Sequence, residues 1–312
     1  MTLVFQLLLL AVGFVLLVKG ADWFVEGASG IADKFGIPQL VIGLTIVAMG
    51  TSAPETAVSI TAALKGNADV SVGNVVGSNI LNVLIILGIS AVITSIAVAK
   101  TTIRYEIPIM LGATFLLLGL GMTGNSITLW EGIVFLGCFA LYLLYMFVMV
   151  KKGQMQAEKI ESASVPLWRL LLMMVVGLGL VVWGSDITID AATKIAQIAK
   201  LSDKFIGLTV VALGTSLPEL VTSVVAAKKG KADIAIGNIV GSNIFNILFV
   251  LGISALIVPV TFDYGFIKDC LIAAGAGILL WICVFPKKKL TRWGGAAMLL
   301  CYAAYFAYLL MH

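Results

Sequence analysis

Histidine is nearly missing from this chain: the single copy among 312 residues is the last one, His312. That excludes a His-based metal centre or a His-dependent catalytic pair from the interior. Charge is scarce too, at 12% Asp, Glu, Lys and Arg, where soluble domains carry roughly 25%. The four cysteines, Cys138, Cys270, Cys283 and Cys301, all fall inside apolar runs without metal-like spacing and read as packing residues. Neither a metalloprotease helix motif nor a nucleophile–base pair is found, so no enzyme and no cofactor are expected. Extended polar sequence is also lacking, apart from a short stretch near 151–166, which leaves no room for a soluble domain.

What the chain has instead is hydrocarbon: 61% hydrophobic residues and a mean hydropathy of +1.11. Apolar runs of the roughly 20 residues needed to cross a bilayer fall near 3–18, 38–63, 70–97, 105–122 and 128–150. Five more fall near 167–190, 204–227, 234–260, 262–285 and 292–311. They do not alternate as barrel strands would, so an all-α integral membrane protein of ten transmembrane helices is expected. No basic residue precedes the first run, which reads as a retained helix and not a cleaved leader. Trp23, Trp130, Trp168, Trp183, Trp281 and Trp293 lie mostly near run ends, as interfacial anchors do.

Of the 20 Lys and Arg, 14 cluster at alternate connections, among them Lys34, Arg104, Lys151, Lys152, Lys229 and Lys231. The other connections hold Lys65, Lys194, Lys200, Lys204 and Lys268. The positive-inside rule then puts both termini outside the cell and 151–166 in the cytoplasm. The net charge of +4 reports topology and implies no nucleic-acid partner.

The chain repeats itself. Adding 164 to a position in 43–91 gives its counterpart in 207–255, with 31 identities in 49 positions and no gap. The register reaches back to Gly13 and Gly177, Gly20 and Gly184, and Asp22 and Asp186. Two halves follow, 1–150 and 167–312, joined by a tether at 151–166. Five helices per half is an odd number, so the second half enters the membrane from the opposite side. Lys65 outside and its mate Lys229 inside agree with this. Inverted repeats of this kind hold substrate near the bilayer midplane between the halves.

Helix-breaking residues interrupt two runs in each half: GTSAPE at 50–55 and GNVVGSNILN at 73–82, then GTSLPE at 214–219 and GNIVGSNIFN at 237–246. Irregular backbone at membrane depth is tolerated only where it is buried in protein or lines a wet cavity, so four breaks are expected to meet centrally. They would present oxygen: carboxylates of Glu55 and Glu219, hydroxyls of Thr51, Ser52, Ser78, Thr215, Ser216 and Ser242, and amides of Asn79, Asn82, Asn243 and Asn246. Oxygen-only sets suit hard cations such as Ca²⁺, and two carboxylates balance one divalent charge. Competing readings remain at Asn74, Asn238, Asn79 and Asn243, which could serve interhelical packing, and at Ser52 and Ser216, which could satisfy backbone freed by the prolines. Asp69 and Asp233 read as interfacial helix caps, and Asp22 and Asp186 as structural.

The paired GTSxPE and GSNIxN segments resemble the two alpha repeats (43–91 and 207–255) of the cation/calcium exchanger superfamily, specifically its compact prokaryotic sodium/calcium exchangers. The resemblance implies a cell-membrane protein whose second, third, seventh and eighth helices form the ion-binding core, with long, tilted first and sixth helices moving against it. It implies Ca²⁺ ligation by Glu55 and Glu219 with carbonyls at Thr51 and Thr215. Sodium would use those carboxylates with Ala48, Ser52, Ser78, Ala212, Ser216 and Ser242, and Asn82 would complete the group. Asn246 departs from members that carry aspartate there, which makes the core more symmetric and weakens potassium co-transport. The expected function is electrogenic Na⁺/Ca²⁺ antiport by alternating access; a proton/calcium or potassium-dependent exchanger ranks second, and a passive cation channel is the rival of a different class. Ca²⁺ and Na⁺ are the expected partners, with the lipid bilayer and no obligate protein.

Overall fold

The computed structural model describes residues 3–66, 69–151, 165–199 and 212–311. Most of the tether, the residues 204–211 of the seventh apolar run, Lys200 and His312 lie outside the described residues. Helix α1 is Leu3–Phe35 and its mate α7 is Leu167–Ile198. Both are longer than the apolar runs predict, because each continues past a charged stretch at its far end. At 1.5 Å per residue they reach about 50 Å, well beyond the roughly 30 Å of hydrocarbon.

These two helices form the most extensive helix–helix contact among the described elements. Glycines let their backbones meet: a Cβ on Gly20 would lie 2.7 Å from Val181 N, and one on Gly184 would lie 2.8 Å from Leu17 N. Small residues at crossings are how membrane helices gain dispersion contacts when no hydrophobic effect separates them from lipid.

The remaining spans are α2 (Gln39–Thr51) and α3 (Ala53–Leu64), α4 (Val70–Ile93), α5 (Thr102–Met122) and α6 (Leu129–Lys151). The second half continues with α8 (Ala212–Thr215), α9 (Leu217–Lys228), α10 (Ala232–Ile257), α11 (Tyr264–Val284) and α12 (Arg292–Met311). Seven described helices are long and apolar enough to cross a membrane, and the pair α2–α3, bent by 49°, makes an eighth. The chain is a multi-pass membrane protein. Elements recur at an offset of 164: α3 with α9, and the last residue of α4, Ile93, with that of α10, Ile257. Gly66 and Gly230 end α3 and α9 in the left-handed region, with φ of 78° and 74°.

One expectation is corrected. The glycine-rich segments 73–82 and 237–246 do not break their helices. α4 and α10 run through them, and each widens into a π-helical turn, Asn82–Leu87 and Asn246–Leu251. The glycines serve close packing instead: a Cβ on Gly241 would lie 2.5 Å from Leu44 O. Lys231 occupies the cap position of α10, and Asp233 lies in its first turn.

Two short ribbons tie the halves together. β1 (Ile96–Ala97) pairs antiparallel with β4 (Lys289–Leu290), and β2 (Ser126–Ile127) with β3 (Val260–Thr261). Acid–tyrosine bonds join α5 to α6 and α11 to α12: Tyr145 Oη donates to Glu106 at 2.7 Å, and Tyr305 Oη to Asp269 at 3.2 Å. The core lies along α4 and α10, the most enclosed of the spans.

Candidate functional site

GTSAPE makes a local turn. Ser52 leaves the helix with φ −81° and ψ 12°, and Pro54 falls in the first turn of α3, where an amide proton would have no intrahelical acceptor. Glu55 is thereby set in that first turn, at the positive end of the helix dipole. GTSLPE repeats the construction: Ser216 has φ −90° and ψ 7°, and Pro218 and Glu219 open α9. Both glutamates are buried, at 1% and 0% exposure.

The halves then exchange bonds. Ser52 Oγ donates to Glu219 Oε1 at 2.7 Å, and Ser216 Oγ donates to Glu55 Oε1 at 3.2 Å. Each serine serves the glutamate of the other half, so the reading that it satisfies local backbone does not hold. Asn79 and Asn243 also face each other, each Nδ2 donating to the other's carbonyl at 3.1 Å. Their side-chain oxygens accept from Asn246 Nδ2 at 3.2 Å and Asn82 Nδ2 at 2.9 Å.

Asn74 and Asn238 act as braces. Asn74 Nδ2 donates to Glu55 O at 3.1 Å and Ser59 Oγ at 2.9 Å; Asn238 Nδ2 donates to Glu219 O at 3.4 Å and Ser223 Oγ at 3.0 Å. Thr51 Oγ1 lies 3.0 Å from Asn238 Oδ1. Ser242 Oγ donates to Ala48 O at 3.4 Å, which ties α10 to the end of α2. Thr51 is buried while its mate Thr215 is half-buried; Ala212 opens α8, and its side chain lies outside the description. Ser78 lines a cavity of about 250 Å³ with Gly77, Asn74 and Asp269. Asp269 was not singled out by the repeat, because the second half is one residue shorter there and the 164 register sets Glu106 against Cys270.

Within this central group of residues, four buried oxygens are left without a hydrogen-bond partner: Glu55 Oε2, Glu219 Oε2, Asn82 Oδ1 and Asn246 Oδ1. They are two pairs related by 164. A buried acceptor without a partner costs about 1–3 kcal/mol, more when charged. All four are oxygens, two of them on carboxylates, the atom type that hard cations prefer and soft metals do not. No three of His, Cys, Asp and Glu gather among the described residues.

Comparison with known proteins agrees with this chemistry. The profile of the sodium/calcium exchanger protein family matches residues 5–148 and, separately, 169–311. This chain belongs to the sodium/calcium exchanger family. The putative antiporter CaxA of Alkalimonas amylolytica is 42% identical across 94% of this chain and 95% of its own length. The sodium/calcium exchanger MaX1 of Methanosarcina acetivorans is 32% identical, covering 97% of both chains. A solved structure of the sodium-calcium exchanger NCX_Mj superposes with a TM-score of 0.84 at 32% identity, over 99% of this chain and 100% of that chain.

Proposed function

We propose that this protein exchanges Na⁺ for Ca²⁺ across the cell membrane as a secondary antiporter, with Ca²⁺ held between Glu55 and Glu219. The observation that carries the reading is the quartet of buried, donorless oxygens on Glu55, Glu219, Asn82 and Asn246. The carbonyls of Thr51 and Thr215 complete the calcium ligands. Sodium occupies the same carboxylates together with Ser52, Ser78, Ser216, Ser242 and the Ala48 and Ala212 carbonyls. Na⁺ and Ca²⁺ compete, since each needs the same two charges.

The halves are inverted five-helix repeats, ten spans in all, with both termini outside and 151–166 in the cytoplasm. Offset-matched residues bonding across the centre support that symmetry, as do two ribbons that each splice one half to the other. Alternation follows from charge. A core with either ion is close to neutral, whereas an empty core keeps two carboxylates uncompensated in low dielectric and resists passage of α1 and α7 along it. This couples the fluxes.

The test is radiolabelled Ca²⁺ uptake into proteoliposomes with outward Na⁺, K⁺ or proton gradients imposed one at a time. Uptake driven by Na⁺ alone, and lost in Glu55→Gln and in Glu219→Gln, is the expected result. Uptake that needs no counter-ion would make the protein a channel and discard this reading.

A further inference from the structure

The charges that flank the core are repeated as faithfully as the ligands. On α1, Asp22 and Glu26 lie one turn apart on one face; on α7 their mates at +164 are Asp186 and Asp190. Lys229, at the end of α9, has its mate in Lys65 at the end of α3. The two sets carry the same charges at the same spacing.

The structure treats them differently. Lys229 Nζ lies 2.7 Å from Asp22 Oδ1 and 3.3 Å from Glu26 Oε2, and it also donates to the Asp22 carbonyl at 3.2 Å. Beside this cluster α9 is packed on the long-helix pair, with Leu217, Val221 and Val225 against Leu17, Ala21 and Val181. In the other half Lys65 is exposed, and neither it nor Asp186 nor Asp190 forms an ion pair among the described residues. The matching face of α3, at Ala53, Ala57 and Thr61, is exposed, and a cavity of about 440 Å³ opens beside Ala57, Thr61 and Lys65.

We propose that Lys229 with Asp22 and Glu26, and Lys65 with Asp186 and Asp190, are two alternative ion-pair latches. The one engages as the other opens, holding the α1–α7 unit first to α9 and then to α3. The proposal rests on the alternating-access reading and adds to it the residues that bias each end state. α1 and α7 are joined by backbone-close glycine contacts, so they move as one body and cannot satisfy both lysines by separating. The paired side chains are partly exposed, and pairs of that kind shift a two-state ratio by about two- to five-fold. Such a bias favours one end state without trapping the carrier in it. The cationic latch partners cap the far ends of helices whose first turns hold Glu55 and Glu219, so whatever moves α3 or α9 at the ion site also moves a lysine at the far end.

The experiment uses the full chain in proteoliposomes with its four native cysteines replaced by serine or alanine. Cysteine pairs are introduced at Glu26 with Lys229 and at Asp190 with Lys65, and treated with a short reversible bis-thiosulfonate linker. Each pair alone is expected to bridge, read as a mass increment. With all four cysteines present, only one of the two bridges is expected in any molecule. Adding Lys65→Met to the Glu26–Lys229 cysteine pair is expected to raise its bridging rate two- to five-fold, since the competing latch is gone. Both bridges in one molecule, no bridge between positions 65 and 190, or a rate indifferent to Lys65→Met overturns the proposal. Bridging reads conformation and not transport. A protein that bridges one pair at a time yet shows no Na⁺-driven Ca²⁺ uptake therefore keeps the latches and loses the proposed exchange.

Discussion

The two halves match at 31 of 49 positions across their motifs, yet they are packed differently around the same site. In the second half, α9 lies on the long-helix pair, with Leu217, Val221 and Val225 against Leu17, Ala21 and Val181, and Lys229 reaches Asp22 and Glu26. In the first half the matching face of α3, at Ala53, Ala57 and Thr61, is exposed, and Lys65 forms no ion pair among the described residues. Near-identical motifs thus occupy a covered and an open environment at once. The lesson is that likeness at the central residues does not extend to the flank of the helix that bears them.

The largest effect expected is at the centre, where the halves are alike. Glu55→Gln and Glu219→Gln should each lower Na⁺-driven Ca²⁺ uptake by more than a hundredfold, and equally; a strong inequality in proteoliposome flux would break the symmetry of the site. Next comes the difference in packing. Gly241→Ala should cost about 1–3 kcal/mol by overpacking against Leu44, whereas Ala57→Leu, on the exposed face of α3, should leave the melting temperature in detergent nearly unchanged. Should exchange also fall in Ala57→Leu while its stability holds, that face is covered during the cycle.

A smaller, symmetric effect is expected at the amides. Asn82→Ala and Asn246→Ala each remove one donorless oxygen and should weaken Ca²⁺ competition against Na⁺ about tenfold, close to 1.4 kcal/mol. The smallest is asymmetric. Thr51→Ala leaves the buried Asn238 Oδ1 without its hydroxyl and should cost about 1 kcal/mol, while Thr215→Ala, at a half-buried position, should cost a few tenths at most. Thermal unfolding of the two single variants side by side checks this.

Much of this was legible in the residues. The 164 register paired Ser52 with Ser216 and Glu55 with Glu219, and Pro54 located the bend. That each serine would bond the other half's glutamate was not legible, because the distance between halves is a tertiary quantity. The glycines of 73–82 misled for a physical reason: in a buried helix glycine lowers the cost of a neighbour's approach more than it loosens the ladder, so Gly241 marks a contact and not a kink. The π-turns at Asn82 and Asn246 carry no sequence signature that separates them from ordinary helix. Lys229 looked like a topology charge, and its role beside Asp22 depended on which end of the core the long helices leaned against. Nor could matched motifs announce that α9 would lie against Leu17 and Val181 while the same face of α3 stays exposed.

The two ribbons have a consequence for how such a chain is assembled. Ile96 sits opposite Leu290 and Ile127 opposite Val260, so each described strand finds its partner in the other half. A half translated alone would emerge with unpaired edges and half of the central oxygens, seeking a second copy of itself. The stitching resembles that of a homodimer whose two copies trade strands. Fusion into one chain guarantees the partner's presence at birth, and once that is guaranteed the two copies are free to diverge at positions such as Ala53 and Leu217, where one sequence can no longer suit both ends.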